Sequence, residues 1–488
     1  MNEMNTNVRN LPGADDAESC QQTLRADLSA QKQAWLKQPF PDYQQRRNDL
    51  LALKRLLIEN QQELITAVNQ DYGNRSEFET KFAEIFLVLE SIADNLKHLK
   101  RWMKPQKRSI DITIYPGARN RVIPQPLGVV GAIVPWNFPI QLAFSGLVSI
   151  FAAGNRAMVK MSENSRALSQ LLIRISPQYF PLDKLRFYEE TGRVGIEFSQ
   201  LPFDHLLFTG SGQTGRAVMA SAAANLTPVT LELGGKSPAV IAPDYPLEKA
   251  VGRILFGKVM NAGQICITTD YAFVHESQLE AFVKLCQAWG KKHIPDINSP
   301  DYTSIIDQKS FERLQSSLED ARSKGARLVD LSDGQQAEVN TRKFPPHLVL
   351  DTTADMDVTR REIFGPIMPV KTYKDAAEVV EYINNHDRPL AFYPFTNDKQ
   401  LQQFYIAHVM SGGVCVNDVL LHQAQHDLPF GGVGSSGMGH YHGREGFLAF
   451  SKLRPVFYQA RFSALKLFAQ PYSPFAKKVV DFMTKMKS

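Results

Sequence analysis

Between residues 129 and 233 short apolar runs alternate with longer amphipathic ones, and no other feature constrains the fold of this chain so tightly. The runs 129–134, 157–160, 185–188, 205–208 and 229–233 are blocks of Val, Ile, Leu and Phe too short for helices. Between them, 138–154, 166–175, a short piece near 194–199 and 212–223 read as helices. Such alternation predicts a parallel, doubly wound sheet with helices on both faces. A sheet of that kind receives nucleotides beyond the carboxyl ends of its strands. The fold class is therefore α/β, with a Rossmann-like cofactor domain.

Past Ser237 the alternation continues with longer connections. Strands are expected at 239–241, 271–274, 347–350 and 368–372, and helices at 279–289, 311–324 and 376–384, which makes a second α/β domain. Residues 21–103 carry a helical pattern. Leu50, Leu51, Leu53, Leu56, Leu57 and Ile58 fall on one apolar face, and Phe82, Ile85, Phe86, Leu89 and Ile92 on another. Pro105 ends this region. The alternation of Ile110, Ile112 and Ile114 with the turn Pro116-Gly117 predicts a hairpin over 110–122. Residues 1–20 are expected to be disordered.

A length of 488 residues allows two or three domains. With 43% hydrophobic and 22% charged residues the composition is that of an ordinary globular protein. The net charge of +5 reads as spread along the chain, so no nucleic-acid partner is expected. The polar N-terminus has no apolar core of a secretory leader. The most apolar stretch, 142–154, is too short to span a bilayer and reads as a buried helix. Cys20, Cys266, Cys286 and Cys415 are too scattered for a disulfide framework, which fits a reduced, cytoplasmic setting. The histidines from His205 to His442 show no metal-ligand spacing, and no metal is expected.

Three short motifs carry the parts of carbonyl chemistry. Cys266 ends the polar turn Gly263-Gln264-Ile265-Cys266. Glu232 opens Glu232-Leu233-Gly234-Gly235-Lys236, and Asn137 sits in Pro135-Trp136-Asn137-Phe138-Pro139. A thiol can attack a carbonyl, an amide can hold the oxyanion, and a carboxylate can activate water. Each also has an ordinary reading: an inert buried cysteine, a strand-end carboxylate, a turn or cap residue. Glu362 reads alone as a loop carboxylate. Gly210-Ser211-Gly212-Gln213-Thr214-Gly215 matches a dinucleotide fingerprint and opens a helix. It follows the fourth strand of the unit rather than the first, so Glu232 is not read as its ribose-binding acid. Lys160 and Glu163, at the end of the second strand, suit the ribose better.

These motifs occur together and in order, with Phe208-Thr209-Gly210-Ser211 and Glu362-Ile363-Phe364-Gly365-Pro366 among them. As a set they resemble the aldehyde dehydrogenase superfamily over about residues 40–460. The stretch 429–439 resembles the class 3 branch. Asp71-Tyr72-Gly73-Asn74-Arg75-Ser76 and Trp102-Met103-Lys104-Pro105 look like bacterial coniferyl-aldehyde dehydrogenases. Phe138 stands where many class 3 members have Tyr. The resemblance implies Cys266 as nucleophile, Glu232 as general base and Asn137 as the oxyanion-holding amide. For the cofactor, NAD with NADP possible, it implies contacts from Trp136, Lys160, Glu163, Thr209, Gly210, Ser211, Gly212, Gly215, Leu233, Glu362 and Phe364.

The expected reaction is oxidation of a small-molecule aldehyde to its acid, with coniferyl aldehyde the leading substrate. A medium- or long-chain fatty aldehyde is the alternative. A coenzyme A-acylating enzyme and a non-catalytic binding protein are remoter readings, against which both Glu232 and Cys266 count. Residues 1–103 and 127–234 are assigned to the cofactor domain and 235–445 to the catalytic domain. Residues 104–126 and 446–460 form a bridging element of a homodimer. The tail, 461–488, is basic and aromatic. It is expected to pack on the dimer partner or on its own catalytic domain; an anionic bilayer surface is the alternative, against which Pro471 and Pro474 count by interrupting a long amphipathic helix.

Overall fold

The computed structural model describes residues 14–461 and 463–487. Three sheets organise the chain. The first has six strands in the order Gly437–Met438, Val229–Glu232, His205–Thr209, Val129–Ile133, Arg156–Lys160, Leu185–Tyr188. The chain enters at Val129–Ile133, winds to one side through two strands, then returns and winds to the other. That is doubly wound topology, and the five sequential strands are parallel. Val129–Ile133 is buried throughout, as a strand covered by helices on both faces must be.

The second sheet has seven strands in the order Arg327–Asp330, His347–Leu350, Ile367–Tyr373, Tyr271–His275, Pro238–Ile241, Ala391–Phe395, Gly413–Val414. Only Arg327–Asp330 runs antiparallel to its neighbour. The third sheet joins Gln106–Arg108, Arg119–Pro126 and Ser451–Tyr458, all antiparallel.

Two expectations need correction here. A hairpin forms, but its strands are Gln106–Arg108 and Arg119–Pro126. Ile110, Ile112 and Ile114 lie in the connecting loop, where Ile112 is 70% exposed, because the backbone turns on Asp111 O, which accepts from Ile114 N at 3.2 Å and Tyr115 N at 2.9 Å. The first helix begins at Ala14, so 14–20 are helical rather than disordered, and residues 1–13 lie outside the described residues.

The helical layer of residues 21–103 also departs from its simple pattern. Lys81–Phe86 is a π-helical turn. Its wider winding shifts the faces, so Phe82 and Phe86 turn outward while Ile85 and Ile92 stay buried. Phe78, Phe82 and Phe86 stack on the surface with centroid spacings of 5.7 and 6.4 Å. Ile58 is likewise exposed.

The same layer pins two helices of the first sheet. Helix Pro139–Ala152 has Pro at its start and no side-chain cap of its own. The Glu84 carboxylate supplies one, accepting from Ile140 N at 2.7 Å and Gln141 N at 3.1 Å. Asp71 does the same for helix Arg166–Ile175, accepting from Ala167 N at 2.7 Å and Leu168 N at 3.1 Å. Among the described residues no helix is long and apolar enough to cross a membrane.

Candidate active site

Cys266 follows a turn with little conformational freedom. Helix Leu247–Val259 ends, and Asn261, Ala262 and Gly263 then take φ of 51°, 49° and 70°. The left-handed region costs a non-glycine residue about 1–2 kcal/mol, so the first two need compensation. Glu79 accepts from Asn261 N at 2.9 Å. Buried Gln264 donates to Asn261 O at 2.9 Å and Ser304 O at 3.1 Å, and accepts from Ile306 N at 3.0 Å. A Cβ on Gly263 would sit 2.4 Å from Gly365 O, so the Glu362–Pro366 loop can close on the turn only over glycine.

Asn137 is buried against this turn, and its Nδ2 donates to Gln264 O at 3.2 Å. Its own carbonyl accepts from Arg75 Nη1 at 2.8 Å, Tyr72 Oη at 2.9 Å and Asn261 Nδ2 at 3.1 Å. Arg75 is fully buried, 3.4 Å from Glu84 and 3.9 Å from Glu79, with its guanidinium over the rings of Tyr72 and Phe138. A charge so deep is held only by opposite charges and well-placed acceptors. The side chain of Asn137 is thereby fixed beside the backbone that leads into Cys266.

Glu232 ends the strand Val229–Glu232, paired with Thr209 on one side and Gly437 on the other. It is buried, and neither carboxylate oxygen has a hydrogen-bond partner. Burial raises its pKa well above the ordinary carboxylate value. The Cys266 thiol is half-buried and pushed up to about 12, first by burial, then by the charges of Glu362 and Glu232. Glu362 is itself raised to about 8 by burial and by Asp270. Its carboxylate lies against Gly234, where an added Cβ would be 2.1 Å from Oε2, and it accepts from the Gly235 amide. Phe364, at φ 48°, meets Trp136 edge-on at 5.4 Å, and Trp136 meets Tyr72 at 6.1 Å.

Of the remaining cofactor candidates, Lys160 and Glu163 line one cavity and Gly212 a second, both beside helix Gly212–Ala223, while Thr209, Gly210, Ser211, Gly215 and Leu233 line neither. One, of about 1020 Å³, lies at the carboxyl ends of the first sheet and is lined by Ile133, Lys160, Glu163, Glu190, Phe208 and Thr214. The other, of about 570 Å³, runs past Gly212, Gln213, Gly234 and Gly235 to Glu362. Ser211 caps this helix, accepting from Thr214 N at 3.2 Å. The helix start thus stands at both cavities, where a dinucleotide would place its pyrophosphate. Gly210 and Gly215 are packing glycines: a Cβ would meet the Phe208 ring at 2.7 Å and Leu233 at 2.6 Å. Thr209 ends its strand beside Glu232, and Leu233 is buried with its amide donating to Ser436 O.

The structure therefore brings Cys266, Glu232, Asn137, Trp136, Glu362 and Phe364 to one site, and sets Lys160 and Glu163 apart in the larger cavity. Sequence reasoning missed four participants. Glu190 binds Lys160 Nζ at 2.7 Å, in a stretch with no motif to mark it. Arg75 and Tyr72 belong to a quoted motif whose role the sequence did not reveal. Lys258 is buried with its Nζ unpartnered, and burial lowers it to about 8. Among the described residues no group of three or more His, Cys, Asp or Glu could hold a metal.

Comparison with known proteins agrees with this geometry. The sequence profile described as Aldehyde dehydrogenase family matches residues 5–456. A probable coniferyl aldehyde dehydrogenase of Pseudomonas aeruginosa is 47% identical over 459 residues, 94% of this chain and 95% of that protein. A coniferyl aldehyde dehydrogenase of Pseudomonas sp. strain HR199 is 41% identical, covering 90% and 91%. Among solved structures, a substrate-bound state of Staphylococcus aureus AldH superposes with a TM-score of 0.87 at 32% identity, covering 94% of this chain and 99% of that one. A family profile matched over residues 5–456, with relatives 47% and 41% identical over nine-tenths or more of both chains, places this chain in the aldehyde dehydrogenase family.

Proposed function

We propose that this member of the family is an NAD(P)-dependent dehydrogenase that oxidises an aromatic aldehyde of the coniferyl type to its acid through Cys266. The observation that carries the reading is the meeting of Cys266, whose thiol feels the Glu232 charge, with the Asn137 side-chain amide that donates to Gln264 O in the same turn. Cys266 attacks the aldehyde carbon, and the oxyanion of the thiohemiacetal is held by Asn137 Nδ2. Loss of hydride from the thiohemiacetal carbon, for which a bound nicotinamide would serve as acceptor, would leave the substrate as a thioester on Cys266. Glu232, buried and without a hydrogen-bond partner, then takes a proton from water as that water attacks the thioester carbonyl, and the C–S bond breaks to release the acid and return the Cys266 thiolate. Lys160 and Glu163 would hold the adenosine ribose, Gly210 to Gly212 the pyrophosphate, and Glu362 and Phe364 the nicotinamide side.

The names of the relatives support the coniferyl substrate. Burial adds roughly 0.8 kcal/mol per CH₂-sized group. Catalytic efficiency is therefore expected to climb by on the order of a hundredfold from acetaldehyde through hexanal to cinnamaldehyde-type substrates. An aldehyde panel read at 340 nm, with and without coenzyme A, tests this. Acetaldehyde as the best substrate would remove the aromatic reading, and a requirement for coenzyme A would remove the hydrolytic one.

Cofactor preference follows from charge. In the larger cavity Lys160 is already paired with Glu190, Arg166 is 2.9 Å from Glu189, and Glu163 adds a third carboxylate. A 2′-phosphate would meet more negative charge than positive. NAD is expected to be preferred, with NADP used less efficiently. Glu163→Gln should move the ratio of efficiencies toward NADP by about tenfold, as removal of one close charge does. An unchanged ratio would place the ribose elsewhere.

The open edge Ser451–Tyr458, with exposed Leu453, Phe457 and Tyr458, supports a homodimer joined through the three-stranded sheet.

A further inference from the structure

Residues 463–487 leave much of their apolar surface exposed. Helix Pro474–Lys487 places Ala476, Val479 and Met483 on its inward side, and only Ala476 is fully buried. Phe475 and Phe482 are each 62% exposed and Met486 59%. At helical spacing these three form one stripe, with Lys478 and Lys485 along its margin. Leu465, Leu467 and Tyr472 extend the exposed apolar surface on the N-terminal side. Lys487 ties the far end of the helix to Asp111 at 3.0 Å, in the loop of the three-stranded sheet. Phe462, part of the aromatic pattern, and Ser488 lie outside the described residues.

Charge is concentrated in the same place. Residues 461–488 hold six basic residues (Arg461, Lys466, Lys477, Lys478, Lys485, Lys487) and one acid, Asp481. The whole chain has 55 Lys and Arg against 50 Asp and Glu, so residues 1–460 carry 49 of each and are neutral. The net charge of +5, read above as spread along the chain, resides in the tail.

We propose that residues 463–487 are a peripheral anchor that lays this protein on an anionic bilayer surface. A large exposed apolar stripe flanked by lysines, on a helix too short and too polar to span, is the pattern of a segment that lies in the interface plane. The phenyl groups enter the acyl boundary while the lysines meet the headgroups. Nucleic acid would satisfy the lysines and leave the stripe uncovered. A second copy of the chain offers a neutral body or an equally positive tail, neither of which complements the charge.

The test uses the full-length protein, sedimented with vesicles of mixed phosphatidylglycerol and phosphatidylcholine, and separately of phosphatidylcholine alone. Binding is expected only with the anionic vesicles at low salt, falling about tenfold at physiological salt as surface charge is screened. The double variant Phe475→Ser, Phe482→Ser should lose that binding. It should keep full dehydrogenase activity on a water-soluble aldehyde, which shows that it has folded. Lys477→Gln with Lys478→Gln should weaken binding without abolishing it. Failure of the full-length protein to bind anionic vesicles overturns the proposal, as does equal binding by the serine variant. Sedimentation velocity without vesicles separates the rival occupant. If the serine variant dissociates a dimer and vesicles capture neither protein, the stripe is covered by a second copy and the proposal falls.

Discussion

Cys266→Ala should reduce dehydrogenase turnover to background while cofactor binding persists. The thiol supplies the only covalent attachment in the reaction proposed above, and no neighbouring group can replace it. Cys286 is buried in its helix, and Cys415 follows the strand Gly413–Val414 outside the turn that carries Cys266. The cavity beside Lys160 is built without the sulfur, so NAD should still bind with an affinity within about threefold of the parent, as expected of distant independent sites. Fluorescence titration of the cofactor and a steady-state assay check both halves. Residual turnover above a trace would end the assignment of Cys266.

Glu232→Gln separates the two halves of the chemistry. The first turnover should proceed and the enzyme should then stall as an acyl adduct on Cys266, with steady-state rate down by about 10²–10⁴, the usual contribution of a general base. Intact-mass measurement after one turnover should show the adduct. The pH dependence has a definite sign. Both Cys266 and Glu232 are raised above their ordinary values, chiefly by burial, and each works only after losing its proton. Turnover of the parent should therefore increase from neutral toward alkaline pH. In the variant the slow hydrolysis step should lose the part of that rise due to Glu232. Normal steady-state rates in Glu232→Gln would exclude it as the base.

Most strands of the two larger sheets could be read from the sequence because buried parallel strands are continuous apolar runs bounded by turns, as in Val129–Ile133 and Pro238–Ile241, but Arg327–Asp330, Ala391–Phe395, Gly413–Val414 and Gly437–Met438 were not foreseen. The residues gathered at the active site were legible as motifs. Their meeting was not, since Asn137, Glu232 and Cys266 come from different turns that only the tertiary fold joins. Arg75 illustrates the limit. A charged residue in a loop motif gives no local sign that it will be buried under the Asn137 carbonyl. The outward swing of Phe82 and Phe86 was hidden for another reason: a π-helical turn breaks the period on which the face was counted. Glu190 was invisible because ion pairing across a sheet leaves no spacing. The basic tail was legible by simple subtraction, but averaging over the whole chain concealed it.

The pairing of Glu232 with Gly437 bears on how the protein is made. The general base proposed here lies in the first half of the chain, yet the strand on its outer side is supplied about fifty residues before the end, at Gly437–Met438. Leu233, next in line, is held by Ser436 in the same late segment. A nascent chain emerging from the ribosome can thus complete its nucleophile turn and most of its cofactor sheet while the Glu232 strand still lacks its outer neighbour. Catalytic competence then waits on residues 436–438, and fragments ending before residue 436 should be inert thiol proteins rather than working enzymes.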